Sequence, residues 1–256
     1  MFTSELLSVL LWLAFGKFLI VGILMLIKNL PSIQKLRVYD IEVPQEQTVR
    51  ELKAAWVVLT DAMVLAILVW LGLIKLSPES FGNILLTFLV FFIWVEVWFY
   101  WTHRWMHQND FMWKIHEHHH LSLINQPLTA ISFSFIEKFV FYTCGWFLLP
   151  TLLSWYIPIS AYGIAAYFTC YYIASPIAHS NMEFLYSLLK YLPFGMSNLS
   201  SSATSHGIHH ARCDVNFGLI TSVLDCIFGT YAQDTEKVKK RLYLGQNLTS
   251  LQEILE

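Results

Sequence analysis

All ten histidines of the chain fall between His103 and His210. They come as His103 and His107 in HRWMH, as His116, His118, His119 and His120 in HEHHH, as an isolated His179, and as His206, His209 and His210 in HGIHH. Residues three and four apart share one face of a helix. His103/His107, His116/His119/His120 and His206/His209/His210 obey that spacing, so each cluster is expected to aim its imidazoles at one point. These three clusters and His179 together exceed the about four to six donors that one first-row ion takes. Two ions sharing the rings, each with an open position, is the simplest arithmetic. Scattered structural histidines are the competing reading for any single ring. They do not account for three clusters at helical spacing with no histidine elsewhere. His118 lies two residues from both His116 and His120 and faces away from them. It is read as a surface residue or one standing behind the ligands, with a role as an extra ligand left open.

The elements that position these rings belong to a membrane protein. Charged residues make up 13% of the 256 residues and hydrophobic ones 56%, whereas a soluble domain carries about 25% charged residues. Mean hydropathy is +0.52. A net charge of −2 with a pI near 6.5 argues against a nucleic-acid partner. The four cysteines show no CxxC spacing, hence neither a disulfide framework nor a zinc ribbon.

Five apolar segments, at about 6–27, 54–74, 84–101, 133–157 and 158–177, are long enough to be considered as membrane spans. The first reads as a retained anchor rather than a cleaved leader. Pro150 and Pro158 blur the last boundary, so 133–177 is either two spans or a broken hairpin, giving four or five spans. The polar stretch 28–53 reads as a loop, with room for a helix lying on the interface. The histidine regions are 102–132 and 178–231, and the whole of 1–256 is expected to form one all-α membrane domain with a helical cap. With the N-terminus outside, the polar segments that hold the histidines all face one side. That side also carries most of the Lys and Arg, which makes it cytosolic. Asn198 and Asn247 match a glycosylation acceptor pattern that is meaningless on that side.

Charge inside a span is costly. At about 1.5 Å per residue, Lys17 lies about 16 Å and Asp61 about 12 Å from the inner ends of their spans. The two either pair across the helices, or Lys17 snorkels along its stem. Glu96 stands seven residues before His103, and Glu96, Tyr100, His103 and His107 form one stripe aimed at the metals. Glu96 is expected to accept a hydrogen bond from a ligand imidazole, the alternative being a partner on another helix.

The run Glu96-Val-Trp-Phe-Tyr100-Trp101-Thr-His103-Arg104-Trp-Met-His107 resembles the first histidine box of the fatty acid hydroxylase/sterol desaturase superfamily. His116-Glu-His-His119-His120 resembles its HxxHH box, and His179-Ser-Asn181 its isolated histidine. His206-Gly-Ile-His209-His210, Asn216-Phe217-Gly218 and Asp225-Cys-Ile-Phe228-Gly229-Thr230-Tyr231 resemble its closing signature. The match covers about residues 90 to 231. Glu96 stands where Asp is more usual, Glu183 where some members place a further His, and Leu224 where Trp is common. The resemblance implies that His103, His107, His116, His119, His120, His179, His206, His209 and His210 are the ligands. Glu96, Asn181 and Asn216 stand behind them, and Asn181, Glu183 or water completes one metal.

The resemblance further implies two iron ions and O₂-dependent attack on an unactivated C–H bond of a lipid, by hydroxylation or desaturation. Zinc, which has no redox function, is expected to replace iron in a purified protein. Nothing in the chain reads as a flavin, haem or ferredoxin domain, so electrons come from a partner such as a b5-type cytochrome or a ferredoxin. The membrane is that of the endoplasmic reticulum in a eukaryote and the inner membrane in a bacterium. Acyl chains, sterols, ether lipids and carotenoids are all candidate substrates. The stretch Phe184 to Ser205 is a candidate gate on the interface. A histidine-rich metal transporter or store, and a catalytically inactive scaffold of the same family, are the other classes of function the sequence allows.

Overall fold

In the computed structural model, residues 3–184 and 199–255 are described. Most of the proposed gate, residues 185–198, lies outside them. The described part is helical, and its only strand-like pairings are isolated bridges.

Helix α1, Ser4–Ile27, starts where the Thr3 hydroxyl accepts the Leu6 amide at 3.2 Å. Leu6, Val9, Leu13, Lys17, Val21 and Leu24 recur at three- and four-residue spacing and are buried, while Leu7, Leu11, Phe15, Leu19, Ile23 and Leu26 are exposed. Both faces are apolar, as suits a helix with protein on one side and lipid on the other. Helix α2, Gln45–Trp70, tightens to a 3₁₀ turn over Ala55–Leu59. Helix α3, Phe81–Gln108, begins at a Ser80 cap and runs unbroken into His103 and His107. These three helices are long and apolar enough to cross a membrane, and the protein is an all-α integral membrane protein.

Helix α4, Asp110–His120, follows at once. The Asn109 carboxamide accepts the amides of Phe111 and Met112, both at 3.1 Å. This cap folds α4 back onto α3 and sets the second histidine box against the first. Helix α5, over 135–153, and α6, Ala161–Ala178, form an antiparallel hairpin. Both stop short of the boundary expected between residues 157 and 158, because residues 154–160 make the turn. That turn bridges Leu76 through Ile159, and the Ser154 hydroxyl accepts the Lys75 amide at 3.0 Å. Leu6, Ile74, Pro78 and Ala161 line one cavity at this end of the bundle. The histidines lie at the other.

The Glu137–Cys144 stretch of α5 is π-helical, a form that is rare and concentrated at functional sites. Its wider turn sets Tyr142 five residues from Glu137, where the Tyr142 hydroxyl donates to the carboxylate at 2.9 Å. Backbone carbonyls within a bilayer need internal donors. The indole N–H of Trp98 donates to Phe141 O at 2.6 Å, and that of Trp94 to Gly145 O at 2.9 Å. Position 145 must be glycine, since a Cβ there would sit 2.2 Å from Trp98 Nε1.

Charged side chains inside the bundle are paired differently from either expectation. Lys138 binds Asp61 at 2.5 Å, and Asp61 also accepts from Thr143 at 2.9 Å and Tyr172 at 3.2 Å. Lys17 neither pairs with Asp61 nor snorkels. It is fully buried, donating to the Tyr171 hydroxyl at 2.6 Å with its ammonium 4.1 Å from that ring's centroid.

The cap is built from residues 28–44, the loop after α4, and the chain from 199 onward. It includes α7, Ala203–Arg212, α8, Val223–Phe228, and α9, Thr235–Tyr243. The last third of the stretch 28–53 expected to be loop, from Gln45 on, is the first part of α2.

Candidate metal centre

Nine imidazoles converge at the cap end of the bundle in two groups. His103, His107, His116, His120 and His209 form one, and His119, His179, His206 and His210 form the other. Within each group the ligand atoms lie within 4.8 Å of one another. All nine are buried except His107, which is half-buried.

The two HxxHH helices are interleaved, so their clusters do not each aim at one point. On α4, His116 and His120 are four apart and serve the first group, while His119 points to the second. On α7, His206 and His210 serve the second group and His209 the first. Each helix therefore lends the middle histidine of its HxxHH trio to the other group.

Hydrogen bonds at Nδ1 fix the rings. The Nδ1 atoms of His103, His119, His179 and His209 meet the carbonyls of Phe217 at 2.9 Å, Ser132 at 3.0 Å, Ser175 at 2.7 Å and Val215 at 2.7 Å. A carbonyl can only accept, so these Nδ1 atoms carry the proton and each Nε2 presents a lone pair. Yet His119 Nε2 and His179 Nε2 stand 3.2 Å apart. Neighbouring Nε2 atoms elsewhere in the two groups are 2.8 to 3.2 Å apart. Two facing lone pairs repel unless a cation lies between them. A metal–nitrogen bond of about 2.1 Å places adjacent donors of one coordination sphere about 3.0–3.4 Å apart. The Nε2 atoms of His103 and His107 are buried with no hydrogen-bond partner among the described residues, which is costly unless a ligand satisfies them. The donor set thus fits two metal ions.

Burial keeps the rings neutral, the form a metal needs. It holds His119 down to about 3, against the lift from the Ser132 carbonyl, and His209 down to about 4. His116, His120, His206 and His210 are held well below 6.5 for the same reason first, with the neighbouring histidines adding to it.

The residues expected behind the ligands act at one remove. Glu96 touches no imidazole. Its carboxylate accepts the Ile220 and Thr221 amides at 3.0 and 2.9 Å and the Thr221 hydroxyl at 2.5 Å. That anchors the loop whose Phe217 carbonyl holds His103. Tyr100, on the same stripe, meets Thr230 at 3.0 Å. Asn181, at φ 59°, exchanges two hydrogen bonds of 2.9 Å with the backbone of Tyr39. Asn216, at φ 56°, donates to Ser205 O and accepts from Ala232 N, each at 2.9 Å. Glu183 caps the start of α7, accepting the amide and hydroxyl of Thr204 at 2.9 and 2.5 Å. His118 stands outside both groups, with Nε2 3.5 Å from the Ser132 hydroxyl.

Two residues that the sequence reading passed over also support the rings, one directly and one through a loop. Glu137 meets His116 Nδ1 at 2.6 Å, both side chains fully buried. Glu51, also buried, accepts from Ser122 and Thr129 at 2.7 Å each and from Gln126 at 2.6 Å. It thereby ties down the loop leading to Ser132. An acidic residue inside an apolar run was the available signal for Glu137. Phe99, Phe133, Tyr142, Tyr171 and Leu219 line a narrow cavity beside His103, His116, His119, His179 and His206.

The fatty acid hydroxylase family model matches residues 88–230. Among curated relatives, the very-long-chain aldehyde decarbonylase GL1-4 of Oryza sativa subsp. indica is 26% identical over 156 residues, 60% of this chain and 25% of that protein. Protein CER1-like 2 of Arabidopsis thaliana is 32% identical over 155 residues, 58% of this chain and 24% of that protein. The very-long-chain aldehyde decarbonylase CER1 of the same plant is 26% identical over 159 residues, 61% and 25% of the two chains. The chain spans about a quarter of the length of these relatives. No solved structure gives a significant match. The matched segment contains every ring of both imidazole groups, and the chain belongs to the fatty acid hydroxylase family.

Proposed function

We propose that this protein is a membrane di-iron oxygenase that hydroxylates or desaturates a lipid, with residues 1–256 acting as one membrane domain. The observation that carries the reading is the pairing of two buried imidazole groups with an apolar cavity. Lone pairs face one another in each group, and Phe99, Phe133 and Leu219 adjoin the rings.

The first ion would be held by His103, His107, His116, His120 and His209, and the second by His119, His179, His206 and His210. Neutral imidazoles suit iron among the redox-active ions. Bound there, a pair of irons would supply the redox chemistry with dioxygen that attack on a C–H bond requires. The protein's part is positional. Carbonyls of Ser132, Ser175, Val215 and Phe217 hold the rings at Nδ1, Glu137 holds His116, and the aromatic wall keeps water from the reacting carbon.

Electrons would come from a partner such as a b5-type cytochrome or a ferredoxin. Lys28, Lys35, Arg37, Arg50 and Lys53 share the histidine end of the chain's path, with Lys75 at the far end, which favours a cytosolic centre. The membrane would be that of the endoplasmic reticulum or a bacterial inner membrane. Zinc is expected in protein purified without added iron.

A transporter would string its ligands along a path through the bilayer, whereas these rings form one knot at one end. The test is oxygen uptake by iron-loaded protein given a chemical reductant and extracted lipid, with product lipids examined by mass spectrometry. A lipid gaining one oxygen or losing two hydrogens is expected. Iron-loaded protein that consumes no oxygen would leave a metal store or an inactive scaffold.

A further inference from the structure

A groove of about 660 Å³ lies on the surface beside the metal centre, within the range of about 300–1,000 Å³ of small-molecule sites. Val49, Trp56 and Phe135 give it an apolar wall, the last two stacked with centroids 5.6 Å apart. Arg50 and Lys53, one turn apart on α2, stand at its rim. Glu46 and His118 also line it. Among the described residues no carboxylate lies within ion-pair distance of Arg50 or Lys53. Among the described residues Arg50 Nε is buried with no hydrogen-bond partner, and the one side chain its guanidinium reaches is Ser122, at 3.4 Å.

The floor of the groove is Phe133, and Phe133 also lines the cavity among the imidazoles. Its ring lies flat on His119, centroids 4.7 Å apart and planes 13° from parallel. One side chain thus separates the groove from the candidate metal centre. Glu46 lies one turn before Arg50 and offsets part of its charge, leaving the rim with a single net positive charge.

We propose that this groove is the substrate port: a long-chain fatty carboxylate lays its chain along Trp56 and Phe135, its head is held by Arg50 and Lys53, and it reaches the imidazoles past Phe133. The proposal rests on the oxygenase reading for what happens beyond Phe133, but the port itself requires neither iron nor turnover. An arginine fork matches a carboxylate with two parallel hydrogen bonds, and an amphiphile at the membrane surface brings a chain and a charge at the same spacing. An aldehyde or an alcohol of equal length brings the chain alone.

The experiment uses the full-length protein in lipid nanodiscs and stearate carrying a mid-chain diazirine. After irradiation, adducts are located by peptide mass spectrometry, with unlabelled stearate, stearyl alcohol or octadecanal as competitor. Adducts on Trp56, Phe133 or Phe135 are expected, with stearate competing about tenfold better than the alcohol or the aldehyde, the worth of one charge-assisted hydrogen bond. Arg50→Gln with Lys53→Gln should erase that tenfold preference while bound metal, measured on the same sample, stays unchanged. Adducts confined to other helices overturn the port. Equal competition by all three lipids overturns the head-group assignment. Failure of labelling together with loss of turnover on adding an electron donor to the Arg50/Lys53 variant would instead make the groove a donor-docking face. Oxygen uptake by iron-loaded protein tests the oxygenase reading separately, so the two can fail independently.

Discussion

His116 and Glu137 share a hydrogen bond of 2.6 Å inside a fully buried pocket, from the last turns of α4 to the π-helical start of α5. A carboxylate at Nδ1 orients a ligand imidazole and raises its donor strength, and losing such a partner typically costs about 10–100-fold in metal affinity. Glu137→Gln keeps the volume and removes the charge. It is expected to weaken the ion of the five-histidine group by about that factor and to leave the ion of the four-histidine group in place. Titrating a chelator against the loaded variant, with metal counted per chain, should show one ion leaving early and one leaving as in the parent. Simultaneous release of both ions would mean that Glu137 supports the whole bundle rather than His116.

The interleaving of α4 and α7 separates substitutions that their spacing makes look alike. His119→Ala leaves the second group with three imidazoles, whereas His209→Ala leaves the first with four. Bound metal is expected to fall to about half in His119→Ala and by less in His209→Ala, with turnover lost in both. His210→Ala, which also leaves three, should match His119→Ala. His118→Ala removes a ring outside both groups and should keep its metal. Elemental analysis of the four proteins decides this, and equal metal loss in His118→Ala and His119→Ala would overturn the grouping.

Much of the centre is legible in the sequence. Histidines three and four apart on helices are forced onto neighbouring faces, and an all-apolar helix longer than about 20 residues has few homes besides a bilayer. The division of the rings is not. Spacing within one helix fixes angles between side chains, but only the rotation of α4 and α7 against each other decides which ring meets which. Glu96 shows the same limit. Its register with His103 is that of a helix stripe, but the loop at 217–222 returns between them, and its free amides outbid an imidazole that already has a carbonyl. The Lys17 and Asp61 pairing failed for a related reason. The π turn brings Lys138 inward, and no apolar periodicity announces a π turn.

Acid should loosen the metal-free protein. Burial depresses the folded-state values of His119 to about 3 and His209 to about 4 from 6.5. Below pH 6.5 the unfolded chain takes up protons that the folded chain refuses. Their contribution to stability is therefore fully present above about pH 6.5 and is lost as the pH falls towards 3–4. Each ring costs about 1.4 kcal/mol per pH unit in that window. Thermal melts of chelator-treated protein should be flat from pH 8 to about 7 and fall steeply below 6. An unchanged Tm at pH 5.5 would show that the rings already protonate in the folded state.

Asp61 and Lys138 make the other demanding contact, at 2.5 Å with both side chains fully buried. Removing one partner of a buried ion pair leaves a charge with no water to receive it, and typically costs about 3–5 kcal/mol. Asp61 also takes the hydroxyls of Thr143 and Tyr172, so Asp61→Asn disturbs α2, α5 and α6 together. Asp61→Asn and Lys138→Met are each expected to lower the yield of folded protein sharply. The double variant should recover most of the loss, because Asn and Met carry no opposed charge and the hydroxyls can still reach the carboxamide. Thermal stability of the parent, both singles and the double in one detergent gives the coupling directly. Additive losses would mean that the two side chains are buried for separate reasons, and that the π turn of α5 is held open by its indole donors alone.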